Sequence, residues 1–188
     1  RRIRLELRVN ESESPLSGAL SATLGIAPER TDPDELIARA VASAADAEVA
    51  VVVVGTNSKV ESEGYDRTDL ALPGRQDDLV RAVAATGTPT VVVVLSGRPY
   101  AIGWMRERTA AVVQAFFPGE EGGTAIAGVL SGRVNPSGHL PVSLPRSAGS
   151  QPYSYLHPVL GGPTEITSAD NTPAFPFGHG LSYTAFRR

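Results

Sequence analysis

Val49-Ala50-Val51-Val52-Val53-Val54-Gly55 decides the fold. An unbroken run of small and β-branched apolar residues predicts a strand buried on both faces, as in a parallel sheet. A helix is predicted just before it. Asp32-Pro33-Asp34-Glu35 offers an N-cap aspartate, a proline in the first turn and a glutamate at the capping-box position. Leu36, Ile37, Ala40, Val41 and Ala44 then recur at helical spacing. Working downstream, Arg75 to Thr86 reads as a helix with Leu79, Val80 and Val83 facing the core, and Thr90 to Leu95 as a second buried strand. Pro99 to Arg108 reads as a short helix and Ala110 to Phe117 as a third strand. Glu120 to Leu130 reads as a helix ended by Ser131-Gly132. This alternation predicts an α/β fold, a mostly parallel sheet flanked by helices on both faces.

The two ends of the chain read differently. Ile3, Leu5, Leu7 and Val9 alternate with Arg4, Glu6 and Arg8, the period of a half-buried strand, and Ala19 to Ile26 is a second alternating run. Two strands do not stand alone in water. Residues 1–31 are therefore expected to be the trailing strands of a preceding or inserted β module, and residues 32–188 the α/β sandwich domain. From Val134 onward the chain is a Pro/Gly-rich tail with few regular runs.

Composition removes several classes of function. The 17 basic and 20 acidic residues leave a net charge of -3, which gives no footprint for nucleic acid or an anionic membrane surface. No apolar run reaches the length of a membrane span. Cysteine is absent, which excludes a disulfide framework and a thiolate nucleophile. The histidines stand far apart at 139, 157 and 179, without the spacing of a zinc motif. The chain opens on Arg1-Arg2-Ile3-Arg4 with no methionine and no signal-peptide pattern, so its natural start is expected upstream and its compartment stays open.

Ligands of open α/β sheets bind beyond the carboxyl ends of the strands. The loops there are Thr56 to Pro73, Ser96 to Pro99, and Pro118 to Gly123. The first far exceeds the usual βα connection of about two to six residues, and long loops in compact domains tend to be functional. It carries Glu61, Glu63, Asp66, Arg67 and Asp69 around Gly64 and Tyr65. A Ser-His-Asp reading fails, because no Gly-x-Ser-x-Gly elbow occurs. A dinucleotide or phosphate-loop reading fails for want of a glycine-rich fingerprint after Gly55. Carboxylate chemistry remains, in which an acid group on a loop meets a leaving-group oxygen.

Glu61-Ser62-Glu63-Gly64-Tyr65-Asp66-Arg67, Leu70-Ala71-Leu72-Pro73 with Gln76, Phe117-Pro118-Gly119, Glu121-Gly122-Gly123, Asn135-Pro136-Ser137-Gly138, Leu140-Pro141 and the closing Phe177-Gly178-His179-Gly180-Leu181-Ser182-Tyr183 follow one another in order. Together they resemble the C-terminal sandwich domain of glycoside hydrolase family 3, from about Asp32 to Phe186. In that family a TIM barrel carries the aspartate nucleophile, and the sandwich supplies the acid/base glutamate from the loop matched here. The resemblance implies part of a retaining, exo-acting β-glycosidase, most commonly a β-glucosidase, acting on terminal β-linked sugars. It also implies a barrel domain of the same polypeptide as partner, and no metal or cofactor. In one branch of the family a protective-antigen-like β module is inserted just before the matched helix, and Ile3 to Ile26 looks like its end. The barrel itself is absent from these residues, and Glu120 stands where the family often has glutamine.

The resemblance assigns Glu63 as acid/base. Glu61 is the alternative, since a shift of the loop would exchange the two; otherwise it is a surface charge. Asp66 and Arg67 are expected to pair with each other or with the barrel and so hold the loop. Tyr65 either borders the sugar or is a core or interface tyrosine. Glu120 and Glu121 read as favourable charges at a helix N-terminus. His179 reads as a structural hydrogen-bonding residue and Trp104 as buried. Ser96 and Arg98 stand on the right edge with no partner the sequence identifies. A non-catalytic carbohydrate-binding or scaffolding α/β domain is the alternative reading, and a nucleotide-binding domain a weaker third.

Overall fold

The computed structural model describes residues 31–64, 66–150, 165–166 and 172–185. The strand pair predicted within residues 3–26 lies outside the described residues, as does Tyr65. Residues 32–188 form a compact unit. Its elements are α1 (Pro33–Ala45), β1 (Ala50–Gly55), α2 (Gln76–Ala84), β2 (Thr90–Leu95), a 3₁₀ turn (Gly103–Glu107), β3 (Ala111–Gln114), α3 (Gly122–Leu130) and a short 3₁₀ turn (Ala148–Ser150). Helix α1 starts where the sequence places it. The Asp32 carboxylate accepts from the Asp34 amide at 3.0 Å, with proline in the first turn.

The three described strands form a parallel sheet in the order β1-β2-β3, with Val52 opposite Val92 and Val92 opposite Val112. Val52, Val54, Val92 and Val94 point into one core with Ala44 of α1, Val80 and Val83 of α2, and Ile102 and Met105 of the 3₁₀ turn. The other face of β1 corrects the sequence reading. Val51 and Val53 are 51% and 58% exposed, so β1 alternates in burial where burial on both faces was predicted. A run made only of apolar residues carries no phase, so it cannot reveal that one face is open. Strand β3 is also shorter than predicted. Phe116 takes a left-handed φ of 54°, which ends the extended run before the loop. Helix α3 begins at Gly122, leaving Glu120 and Glu121 in front of it.

Several polar residues are absorbed structurally. The Arg81 guanidinium stacks 4.2 Å above the half-buried Trp104 ring. In the tail, the short strings singled out in the sequence bind one another. The Tyr183 amide donates to Asn135 Oδ1 at 2.8 Å, the His139 ring donates to the Gly178 carbonyl at 2.8 Å, and the Tyr183 hydroxyl donates to the Val129 carbonyl of α3 at 2.8 Å. His179 packs on Phe175 with ring centroids 5.3 Å apart. Among the described residues no helix is long and apolar enough to cross a membrane.

Gly55 ends β1 at φ 154°, and a Cβ there would lie 2.0 Å from the Leu95 carbonyl oxygen. No side chain fits without parting the two strand ends. Gly55→Ala is expected to lower unfolding stability by about 1–3 kcal/mol, read as a lower urea midpoint.

Candidate active site

Parallel pairing brings the carboxyl ends of β1, β2 and β3 to one edge. The long first loop is tied down at both its ends by one side chain. The Gly55 amide donates to Gln76 Oε1, while Gln76 Nε2 donates to the carbonyls of Gly55 at 2.8 Å and Pro73 at 3.0 Å. The Thr56 amide donates to the Leu95 carbonyl at 2.8 Å, so the loop leaves directly from the sheet. Asn57 then turns it: its side chain accepts from the Lys59 amide at 3.0 Å, and its carbonyl accepts from the Val60 and Glu61 amides at 2.9 Å.

This turn delivers Glu61 inward. Its side chain is only 5% exposed, against the sequence alternative of a surface charge. The Thr56 hydroxyl donates to Oε2, and Oε1 stands 3.9 Å from Arg98 Nε, with no hydrogen-bond partner among the described residues. Arg98 comes from the second loop and donates from Nη2 to the Ser62 carbonyl at 3.0 Å. Buried Ser96 shapes that loop by donating to the Arg98 carbonyl at 3.0 Å and accepting from Gln114 of β3 at 3.1 Å. A Cβ on Gly97 would meet Phe117 at 2.8 Å and Glu61 Oε1 at 3.1 Å, so all three loops converge on this glycine. Phe117, beside the left-handed Phe116, is 55% exposed at the same place.

Glu63 follows Ser62 in a turn with Gly64 at φ 71°, and its side chain is exposed. Asp66 is exposed too. Arg67 pairs with Asp69 at 3.0 Å, where the sequence reading offered Asp66 or the barrel, and it donates to the Ala71 carbonyl at 3.1 Å. Asp69 in turn accepts from the Ala71 amide, a short-range closure that a bare string of charges does not reveal. The Arg67 guanidinium lies 5.7 Å from the centre of the Tyr100 ring. An open cavity of about 360 Å³ is lined by Asp66, Arg67, Asp69, Arg98 and Tyr100. The Tyr100 hydroxyl is buried without a hydrogen-bond partner among the described residues. Burial first, and the Glu61 carboxylate second, push its pKa up, against Arg67 and Arg98.

The loop thus presents Glu63 to solvent on a base held by buried groups. Sequence reasoning named Glu61, Glu63, Asp66 and Arg67 as site residues, quoted Asp69 and Gln76 without a supporting role, and missed the part played by Thr56 and Tyr100. Gln76 had a legible signal, a polar amide opening a helix directly after a loop. Among the described residues no three His, Asp or Glu side chains gather as metal ligands would.

The chain matches the Glycosyl hydrolase family 3 C-terminal domain over residues 5–183 and belongs to that family. Among its relatives, it is 43% identical over 164 residues to the periplasmic β-glucosidase of Salmonella typhimurium, covering 82% of this chain and 21% of that protein. It is 40% identical over 151 residues to a β-xylosidase of Formosa agariphila, covering 79% of this chain and 21% of that one. A solved β-glucosidase from Erythrobacter marinus superposes with a TM-score of 0.74 at 43% identity, over 83% of this chain and 22% of that chain. The chain spans about a fifth of the length of these relatives.

The folded chain holds the Tyr100 proton at pH values where the unfolded chain releases it. Above about pH 10 the folded state therefore binds more protons than the unfolded state, and stability falls as pH rises through that range. Tyr100→Phe should reduce this alkaline loss while leaving stability near pH 7 unchanged or slightly higher, measured by urea unfolding at several pH values.

Proposed function

We propose that, within a longer polypeptide, this domain supplies the general acid/base of a retaining, exo-acting β-glycosidase and that Glu63 is that residue. The observation that carries the reading is the placement of Glu63. It is an exposed carboxylate at the carboxyl edge of the sheet, on a loop whose ends Gln76 ties and in which the nearby Glu61 is buried.

The mechanism is double displacement. A carboxylate nucleophile outside these residues, an aspartate on the barrel domain, attacks the anomeric carbon while Glu63 protonates the departing glycosidic oxygen. Glu63 then takes a proton from the water that releases the sugar. Retention calls for the two carboxyl groups to stand about 5–5.5 Å apart, so the exposed face of this loop must dock closely on the part of the polypeptide that bears the nucleophile. Docking also supplies the partial desolvation that a carboxyl acid needs. Asp66 would then face the sugar or the docking surface, with Arg67 stiffening the loop through Asp69 and the Ala71 carbonyl. Residues 1–31 would belong to the inserted β module. The substrate class is a terminal β-linked pyranoside, a β-glucoside first. A relative named β-xylosidase makes the sugar that lacks the C5 hydroxymethyl group the second choice.

Glu63→Ala in the full-length polypeptide should lower turnover of β-glucosides with poor leaving groups by about 10²–10⁴-fold. An aryl β-glucoside with a good leaving group needs little protonation and should keep much of its activity, with azide yielding a glycosyl azide. Unchanged activity on poor leaving groups would sink the assignment. On this reading the nucleophile lies outside these 188 residues, so they are expected to show no turnover of either substrate by themselves.

A further inference from the structure

We infer that Glu61 is a positioning residue for the acid/base, acting through Thr56, Arg98 and the Ser62 backbone; the inference rests on the assignment of Glu63 above. Four observations carry it. The Glu61 side chain is 5% exposed, although its neighbours Ser62, Glu63 and Gly64 are exposed. One carboxylate oxygen accepts a hydrogen bond from the hydroxyl of Thr56, the first residue after β1. The other faces Arg98 at 3.9 Å and has no hydrogen-bond partner among the described residues. Arg98 in turn donates to the carbonyl of Ser62, the residue directly before Glu63. The chain of contacts runs from the rigid end of one strand, through a buried charge, to the peptide bond that carries the acid.

The chemistry of the pair explains why a carboxylate stands here. Burying a charge is unfavourable unless a partner offsets it, and a site that needed only packing would be filled at less expense by an apolar side chain. A carboxylate accepts hydrogen bonds only, so the Thr56 hydroxyl is oriented as donor, and its charge draws the Arg98 guanidinium toward the loop. Arg98 presents several donors in a rigid fork, so one can face Glu61 while another reaches Ser62. Gly97 leaves the space that lets Glu61 sit this close to the second loop, since a Cβ there would meet its Oε1 at 3.1 Å. Glu61 touches no substrate in this scheme; it sets where Glu63 stands.

The test uses the full-length polypeptide and the ratio of kcat/KM for a poor and a good leaving group. A misplaced acid slows reactions that need protonation more than those that do not, whereas a loss of folded enzyme slows both alike. Glu61→Ala should lower turnover of the poor leaving group by about tenfold to a hundredfold, as misplacement of a reacting group by about 1 Å does. Turnover of the activated aryl substrate should fall much less, and azide should give no glycosyl azide because Glu63 still occupies its place. Thr56→Val, which keeps the carboxylate but removes its donor, should move the ratio in the same direction and covers the case in which Glu61→Ala folds poorly. An unchanged ratio in both variants overturns the inference while leaving Glu63 as the acid/base. Azide rescue of Glu61→Ala with none for Glu63→Ala overturns both readings, because Glu61 is then itself the acid/base.

Discussion

The carboxyl edge of this domain depends on the parallel register of three valine-rich strands. Val52, Val92 and Val112 stand opposite one another, so β1, β2 and β3 end together and their loops must share one space. That crowding dictates the residues at the junctions. Gly55 passes the Leu95 carbonyl where no Cβ fits, and Gly97 leaves room for Glu61 on one side and Phe117 on the other. Antiparallel strands would have scattered the same loops to two edges, and the contact between Arg98 and the first loop would not exist.

Within that space the charges divide by depth. Glu61 lies inside, bound to Thr56 and facing Arg98; Glu63 and Asp66 lie outside. Only Ser62 separates Glu61 from Glu63, yet the Asn57 turn and the Gly64 turn send them to different environments. A buried carboxylate is poorly suited to collect a substrate but well suited to hold a backbone. An exposed one on a braced loop is suited to the reverse. The same division holds for the arginines. Arg67 is spent on Asp69, the Ala71 carbonyl and the Tyr100 ring, while Arg98 bridges two loops.

Much of the α/β order was legible because periodicity and caps are local. The start of α1 at Asp32, the span of β2 and the end of α3 at Ser131-Gly132 follow from neighbouring residues alone. What was not legible depends on distant partners. The open face of β1 is invisible in a run of valines, because identical residues carry no phase. The burial of Glu61 is set by Thr56 and by Arg98, which lies on another loop. Arg67 chose Asp69 over Asp66 because the Ala71 carbonyl and amide complete the closure. The first loop was identifiable as the site by its length and charge, but which of its two glutamates points outward is a property of the turns between them.

The open face of β1 has a practical consequence. Among the described strands β1 lies at an edge, and Val49, Val51 and Val53 stand more than half exposed along it. An unpaired edge lined with β-branched side chains is a template for intermolecular strand addition. Produced apart from the rest of its polypeptide, the domain should therefore be colloidally fragile. Self-association should rise steeply with concentration, while a lysine placed at Val51 would blunt it without touching the loops that meet at Gly97.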